Sequence, residues 1–533
     1  MKIKSLICIF LSLTLLLSFT GCKNGKKDKD KNNNQSEKSV TASLLYCKSD
    51  FFNPYTARTE ITRELASLVF EPLIKLDNEF NVINRLAEEI ESEGNVWKVK
   101  LIDAKFSDGT TVTADDIIYS YNLAINSKTT HASTLSSVKS VVAENSKTVV
   151  FTLKRIDNYF SNLLSFPIIK ANSDTLLDSD GVAAAPIGCG RYIFDETQSL
   201  LIQNPNYFGK SGQIKTIKLI DAPDADAVAH YVEIGASDLY YSDSASGDIV
   251  RMSGKRTQVN LNNLVYIGIN SAYPELKNKN IRYAISAALD RNKICRNAFY
   301  NNAIAATGFL NPLFDDAKPY QTIDSTPNLK ITVENFDRIG YNSLDEEGYR
   351  LNFSGRRIHF TLLVNEENQS RVIAAELIKE QLKSVGIDIT VVKKKYEQYM
   401  AALSQNAFQL YLGEISVPNN MDLSGLVISG GSAAFGVFDE TAKPTDKKDE
   451  EESESHEEKP IEVVKTSVQS VIEGFYSGND SIGSVVSVLL TEMPQIPICY
   501  RQGVLFYDSE IESGVNASAD DIYLSIEEYA YKK

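Results

Sequence analysis

The chain has 533 residues, with 55 Lys and Arg against 70 Asp and Glu and a formal charge of −15. An acidic balance of that size repels a phosphate backbone, so no nucleic-acid partner is expected. Its four histidines, His131, His230, His359 and His456, form no HExxH and no serine stands in a GxSxG, so no enzyme is expected. Lys2 and Lys4 precede an apolar run from Leu6 to Leu17, the layout of a secretory signal and too short to be a good spanning helix. Residues 23–38 hold six Lys, three acids and no large apolar side chain, and read as a solvated tether. Removing residues 1–21 takes away Lys2 and Lys4 and no acid, so the charge moves from −15 to −17. What remains is long enough for two or three domains at roughly 150 residues each.

Val40 to Tyr46 is predicted to be the first strand, broken by Phe51-Phe52-Asn53-Pro54-Tyr55. From Glu60 to Phe70, Ile61, Leu65, Leu68 and Val69 share one helical face. Trp97, Val99 and Leu101 alternate with Lys98 and Lys100, the period of a half-buried strand. Asp108-Gly109 then turns the chain, because glycine takes a positive φ without steric penalty. Thr113 before Ala114-Asp115-Asp116 is a helix cap, with two carboxylates at the positive end of the dipole. Ala114, Ile117, Tyr121 and Ala124 follow as its inward stripe. Lys147 to Leu153 adds an alternating strand. In Pro186-Ile187-Gly188-Cys189-Gly190-Arg191-Tyr192 two glycines flank one residue, a pattern for a turn or a close backbone approach.

Further on, Leu264 to Asn270 is a predicted strand, and Asn280 to Arg291 a helix with Ile281, Ala284, Ile285 and Ala288 inward. Strand Ile358 to Val364, helix Ser370 to Val385 ended by Gly386, strand Ile387 to Val392, helix Tyr396 to Ser404 and strand Phe408 to Leu412 alternate as in an α/β sheet. In such sheets ligand sits by default at the strand C-terminal ends. Residues 439–462 carry eleven acids against four lysines and read as a solvated loop. Val464 to Phe475 resumes a helical pattern.

The strand, DG turn, T-A-D-D cap and Tyr119-Ser120 helix resemble the signature of family 5 of the extracytoplasmic solute-binding proteins, the peptide, dipeptide and nickel importer class. Glu71-Pro72-Leu73, Pro186 to Tyr192, Asn204 to Gly209, Leu264 to Arg291 and Met493 to Tyr500 are similar to its further motifs, in its order. Phe19-Thr20-Gly21-Cys22 resembles a lipobox. That resemblance implies lipidation of Cys22 and a protein anchored to the cell membrane on its extracytoplasmic face. It implies an α/β periplasmic-binding-protein-like class II clamp, two α/β lobes with an additional third domain. The segments are then a lipoprotein signal (1–21), a tether (22–39), a discontinuous lobe I (40–71, 186–270 and 485–533), domain II (72–185), and lobe III (271–484) with an acidic insertion at 439–462.

By the same resemblance the protein is the binding component of an ABC importer, a monomer without cofactor or metal. It captures oligopeptides or dipeptides between its lobes and delivers them to a permease driven by an ATPase. Candidate ligand contacts are Phe52, Asn53, Tyr266, Asn270, Glu414, Ser416, Tyr500 and Arg501; Arg501 suits either a ligand carboxylate or an interdomain salt bridge. Where peptide-binding members carry an amine-pairing Asp, this chain has Val417. A buried ammonium without a carboxylate is unfavourable, so Glu414 or Asp422 supplies the charge, or the ligand has no free amino terminus. The alternatives are a surface receptor or adhesin on the same fold, and an importer component for a nickel chelate or other non-peptide solute. No histidine falls in the segments assigned to the cleft. Cys47, Cys189, Cys295 and Cys499 fit no CxxC or zinc spacing; buried free thiols are expected, and a disulfide among Cys47, Cys189 and Cys499 is the alternative that export permits.

Overall fold

Alternation along the chain sets the first sheets. In this computed structural model, which describes residues 40–177, 181, 184–243, 245, 252–438, 440–441 and 463–532, β1 (Val40–Tyr46) opens the fold as predicted. The signal, the tether, Cys22 and nearly all of the acidic run lie outside the described residues. α1 (Glu60–Val69) turns Leu65, Leu68 and Val69 inward. β2 (Ala87–Glu93), β3 (Val96–Leu101), α2 (Ala114–Asn126), β4 (Val138–Asn145) and β5 (Thr148–Leu153) follow, the four strands making an antiparallel sheet in the order β2-β3-β5-β4. On β3 the odd residues Trp97, Val99 and Leu101 are buried, while Lys98 and Lys100 pair with Glu144 and Glu88 on the wet face. Gly109 has φ +86°, and the α2 cap closes through Asp116, whose carboxylate accepts from the Thr113 amide at 2.9 Å and hydroxyl at 2.8 Å.

The chain returns to β1 through β6 (Tyr192–Asp195), β7 (Leu200–Gln203) and β8 (Ile214–Asp221), in the order β1-β8-β7-β6 with β1 and β8 parallel. Gly188 and Gly190 lie against the end of α1. A Cβ on them would stand 2.1 and 2.5 Å from Val69 backbone atoms, so the paired glycines serve a close approach.

The largest sheet has seven strands: β9 (Leu239–Ser242), β10 (Lys255–Ile269), β11 (Ala303–Ala305), β12 (His359–Asn365), β13 (Asp388–Lys394), β14 (Leu410–Ser416) and β15 (Ile496–Tyr507). Their order is β9-β15-β10-β14-β12-β13, and β11 pairs with β15 off this path. α3 (Lys279–Ala287) and α4 (Arg291–Ala298) follow β10, and α5 (Gln369–Lys383) ends before Gly386 at φ +86°. β10 starts nine residues before the predicted Leu264. Its polar half was invisible to hydropathy because tertiary partners satisfy it: Asn260 accepts from Gln502 at 2.7 Å, and Asn262 donates to the Val417 carbonyl at 2.9 Å.

Apolar side chains gather into two large cores. One joins Leu44, Phe70, Val99, Phe151, Ile217 and Tyr529 and includes Val259 and Leu505; the other joins Leu264 to Ile269 with Ile281, Leu362, Ile378, Leu412 and Ile496. β10 and β15 therefore run from one core into the other, with a break in their pairing between Asn260 and Leu264.

Inside the first core lies an ionic cluster. Glu71, Lys75, Arg191 and Asp521 are at most 3 % exposed. Lys75 stands 3.2 Å from Glu71 and 2.8 Å from Asp521, Arg191 2.6 Å from Asp521, and Arg85 3.1 Å from Glu71. Burial works to raise the Glu71 carboxyl, but Lys75, Arg85 and Arg191 bring it down to about 2 from an ordinary 4.5. Because the folded value is depressed, its stabilisation is complete above about pH 4.5 and is lost as pH falls toward 2, a span worth about 3 kcal/mol. Glu71→Gln is expected to lower unfolding free energy by about 3–5 kcal/mol at pH 7. The gap from wild type should close near pH 2, as urea titration at both pH values would show. Cys47, Cys189, Cys295 and Cys499 are free and buried. Residues 23–533 should therefore yield four thiols to a disulfide reagent in denaturant and none promptly in native buffer.

Candidate functional site

A cavity of about 1000 Å³ opens where five pieces of chain meet: the loop after β1, the outer face of α1, the loop after α2, and short stretches at 165–167 and 519–520. Each piece is set locally. Asn53 accepts the Tyr55 amide at 2.9 Å and starts a turn that Pro54 keeps out of the strand. Asp50 then takes the Arg58 and Thr59 amides at 2.9 and 2.7 Å, fixing the loop against the N-terminus of α1. Along α1, Arg63, Ala66, Ser67 and Phe70 recur at helical spacing and face the cavity. The volume is at the upper end for small-molecule sites.

Arg58, Arg63 and Lys128 bring positive charge to the wall, and among the described residues none of them forms an ion pair. Lys75, on the floor, is engaged by Glu71 and Asp521. Asp520 is the wall's carboxylate; the protein around it pushes its carboxyl up, while the Ser165 hydroxyl draws it back. His131 lines the cavity too, with burial pushing its imidazole down to about 4, so it is neutral at pH 7.

None of the eight residues proposed from sequence lines this cavity. Phe52 stacks on Phe194 at 4.3 Å and 12° and borders a separate cavity of about 30 Å³, room for about one or two waters. Asn53 is used by its own turn. Tyr266 shares the Ala433 carbonyl with Tyr411, Tyr500 donates to the Phe309 carbonyl at 2.7 Å, and Asn270 donates to the Asn406 and Phe408 carbonyls at 3.0 and 2.9 Å. All three are buried, and those bonds tie the second core together. Ser416 is exposed at the end of β14.

Glu414 and Arg501 do come together. Arg501 Nε stands 2.7 Å from Glu414, its guanidinium also holds Asp243, and Arg371 reaches Glu414 at 2.6 Å. Burial acts to raise the Glu414 carboxyl, but Arg371 and Arg501 keep it below the usual range. Asp422 pairs with Arg155 at 2.5 Å, and that guanidinium lies 3.4 Å from the Tyr476 ring centre. Both acids offered as substitutes for the absent amine-pairing Asp are thus already neutralised, and Val417 is buried with its amide on the Asn262 carbonyl at 2.8 Å. Of the cavity's charged and titratable residues not named from sequence, Arg63 shares the helical spacing of α1, while Arg58, Lys128, His131 and Asp520 carry no periodic signal. The Pro54 break was the one pointer to Arg58.

The family model of the bacterial extracellular solute-binding proteins, family 5 (middle region), matches residues 81–435. The chain belongs to this family. Family 5 proteins are extracytoplasmic substrate-binding components of ABC importers and not enzymes. The oligopeptide-binding protein AppA of Bacillus subtilis is 26 % identical over 412 residues, 72 % of each chain. Among solved structures, an ABC transporter substrate-binding protein from Sinorhizobium meliloti aligns over 93 % of this chain and 100 % of its own, with TM-score 0.70 and 17 % identity. NikA from Brucella suis, solved with Fe(III)-EDTA, aligns over 92 % and 100 % with TM-score 0.64 and 18 % identity. These neighbours agree with the expected class II clamp.

In this solute-binding protein Arg501→Gln is expected to destabilise by about 3 kcal/mol, because Asp243 and Glu414 lose a shared buried cation. Adding Glu414→Gln should return part of that loss in a urea double-mutant cycle.

Proposed function

We propose that this family 5 protein captures short peptides in the 1000 Å³ cavity and presents them to a membrane permease driven by an ATPase. The observation that carries this reading is a cavity of peptide size with charges of both signs on its wall. The curated relative from Bacillus subtilis bears the name oligopeptide-binding protein, which agrees with it. In this reading lobe I (40–71, 186–270 and 485–533) and lobe III (271–484) move about β10 and β15. Domain II (72–185) follows lobe III through Arg155 to Asp422, Asp157 to Asn420 at 2.6 Å, and Asn162 to the Asn419 carbonyl at 3.1 Å. A solute that touches more than one of these bodies favours the closed arrangement by its differential affinity. Cys22 carries the lipid, and the Lys-rich segment after it is the tether.

A second reading has one observation in its favour. Arg58, Arg63 and Lys128 suit a polyanion, and NikA was solved with an iron chelate. Among the described residues no group of three or more His, Cys, Asp or Glu is placed to hold a bare ion, so a metal would arrive already chelated.

Denaturing mass spectrometry of solutes that co-purify with residues 23–533 separates the two readings. Short peptides support the first; a metal chelate without peptide rejects it. For the anchor, Cys22→Ser in the full chain should move the protein from the membrane fraction to the soluble fraction and abolish fatty-acid labelling.

A further inference from the structure

Two of the four buried cysteines meet inside the second core. Cys499 sits on β15 between Val265 of β10 and Ala305 of β11, and Cys295 stands one turn into α4, which packs on β11 and β15. The first residue of α4 pins helix to strand, because Arg291 Nε donates to the Pro497 carbonyl at 2.9 Å. From that point Cys295 lies four residues along the helix, about 6 Å, and Cys499 two residues along the strand, about 7 Å. The two advances match, and the thiols are in hydrogen-bond contact. The other two cysteines are elsewhere: Cys189 belongs to the first core, and the Cys47 sulfur is engaged by the Ser49 hydroxyl at 3.3 Å. Cys499 therefore has Cys295 as its neighbour, and not the Cys47 or Cys189 that its place along the chain suggested.

Arg291 supplies a cation beside both sulfurs. Its guanidinium is fully buried and donates to the Pro497, Ser286 and Asp324 carbonyls and the Ser286 hydroxyl, with no carboxylate in ion-pair range among the described residues. A positive charge there favours the thiolate that disulfide exchange requires, whereas burial pushes the Cys499 thiol up, so the closed core keeps the pair protonated and inert. Exchange belongs to folding or to local opening. We propose that Cys295 and Cys499 are a disulfide-forming pair, joined by exchange with an external disulfide as the chain folds on the extracytoplasmic side. The thiolate of Cys295, the less buried of the two, attacks one sulfur of the external disulfide and releases its other half as a thiolate. The Cys499 thiolate then attacks the Cys295 sulfur of that mixed disulfide, forms the Sγ–Sγ bond and releases the second half. Both cysteine protons end on the released thiolates, so one disulfide is reduced as the other forms. The bond closes a loop between positions 204 apart and holds α4 to the strand that carries Arg501 two residues further on.

The test counts thiols and maps the link. Residues 23–533, which contain every described residue and four cysteines, are reduced and then incubated with oxidised glutathione. The urea concentration is one at which a reduced control alkylates all four thiols within the incubation, so that every sulfur is reached. The sample is quenched with iodoacetamide in denaturant and analysed by intact and peptide mass spectrometry. Wild type is expected to lose the Cys295 and Cys499 thiols together, with a mass decrease of about 2 Da for the bond and a cross-linked peptide that contains both residues. In Cys499→Ser the partner sulfur is gone, so Cys295 should stop at the mixed disulfide and keep its glutathione. Wild type in which Cys295 and Cys499 both remain alkylatable, or each carry glutathione, overturns the proposal. A cross-linked peptide that joins Cys499 to Cys47 or Cys189 overturns it as well.

Discussion

The meeting of Glu71, Lys75, Arg191 and Asp521 inside the first core is the constraint on which the rest of the molecule depends. These residues come from the end of α1, the strand that follows it, the start of β6 and the C-terminal segment, so one ionic cluster joins stretches 450 positions apart in the chain. Four charges out of water are tolerable only when each is paired and hydrogen-bonded, and the two terminal nitrogens of Arg191 donate to the Ser67, Tyr523 and Leu524 carbonyls as well as to carboxylates, leaving its Nε without a hydrogen-bond partner. The same cluster decides the cavity's electrostatics. By engaging Lys75 and Asp521 it leaves Asp520, one residue away, facing the cavity without a cation among the described residues.

A second network works at the passage between the cores. Arg501 on β15 binds Asp243 just beyond β9 and Glu414 on β14, and Arg371 near the start of α5 closes the chain. Those are the positions where an interlobe ligand contact was expected from sequence. Internal partners fill them in this arrangement, and the free charges lie instead around α1. In this arrangement the positions named from sequence and the unpaired cavity charges lie in different parts of the molecule. The reason is physical: an Arg or Glu in a sequence does not reveal whether its partner is another side chain or a solute.

Much of the fold was legible. β1, the Trp97 to Asn126 strand-turn-helix, α5 with Gly386 behind it, and Tyr396 to Ser404 all carry their periodicity and end signals within a few residues of their own positions. The first half of β10 was not legible, because Asn260 and Asn262 are buried polar residues whose partners, Gln502 and Val417, are more than a hundred residues away. Tyr266, Asn270 and Tyr500 are ligand contacts by resemblance to the family's motifs; folding gives each an internal carbonyl or hydroxyl partner.

By itself the sequence determined the local elements, the family and the acidic character, since alternation, helical stripes, glycine turns and an ordered series of motifs are all written in neighbouring residues. Only the tertiary structure decided which charges neutralise one another and which remain facing the cavity. That selection turns on distances of a few ångströms between segments such as 58–63, 128–131 and 520–521, and no pattern along one segment encodes its distance from another.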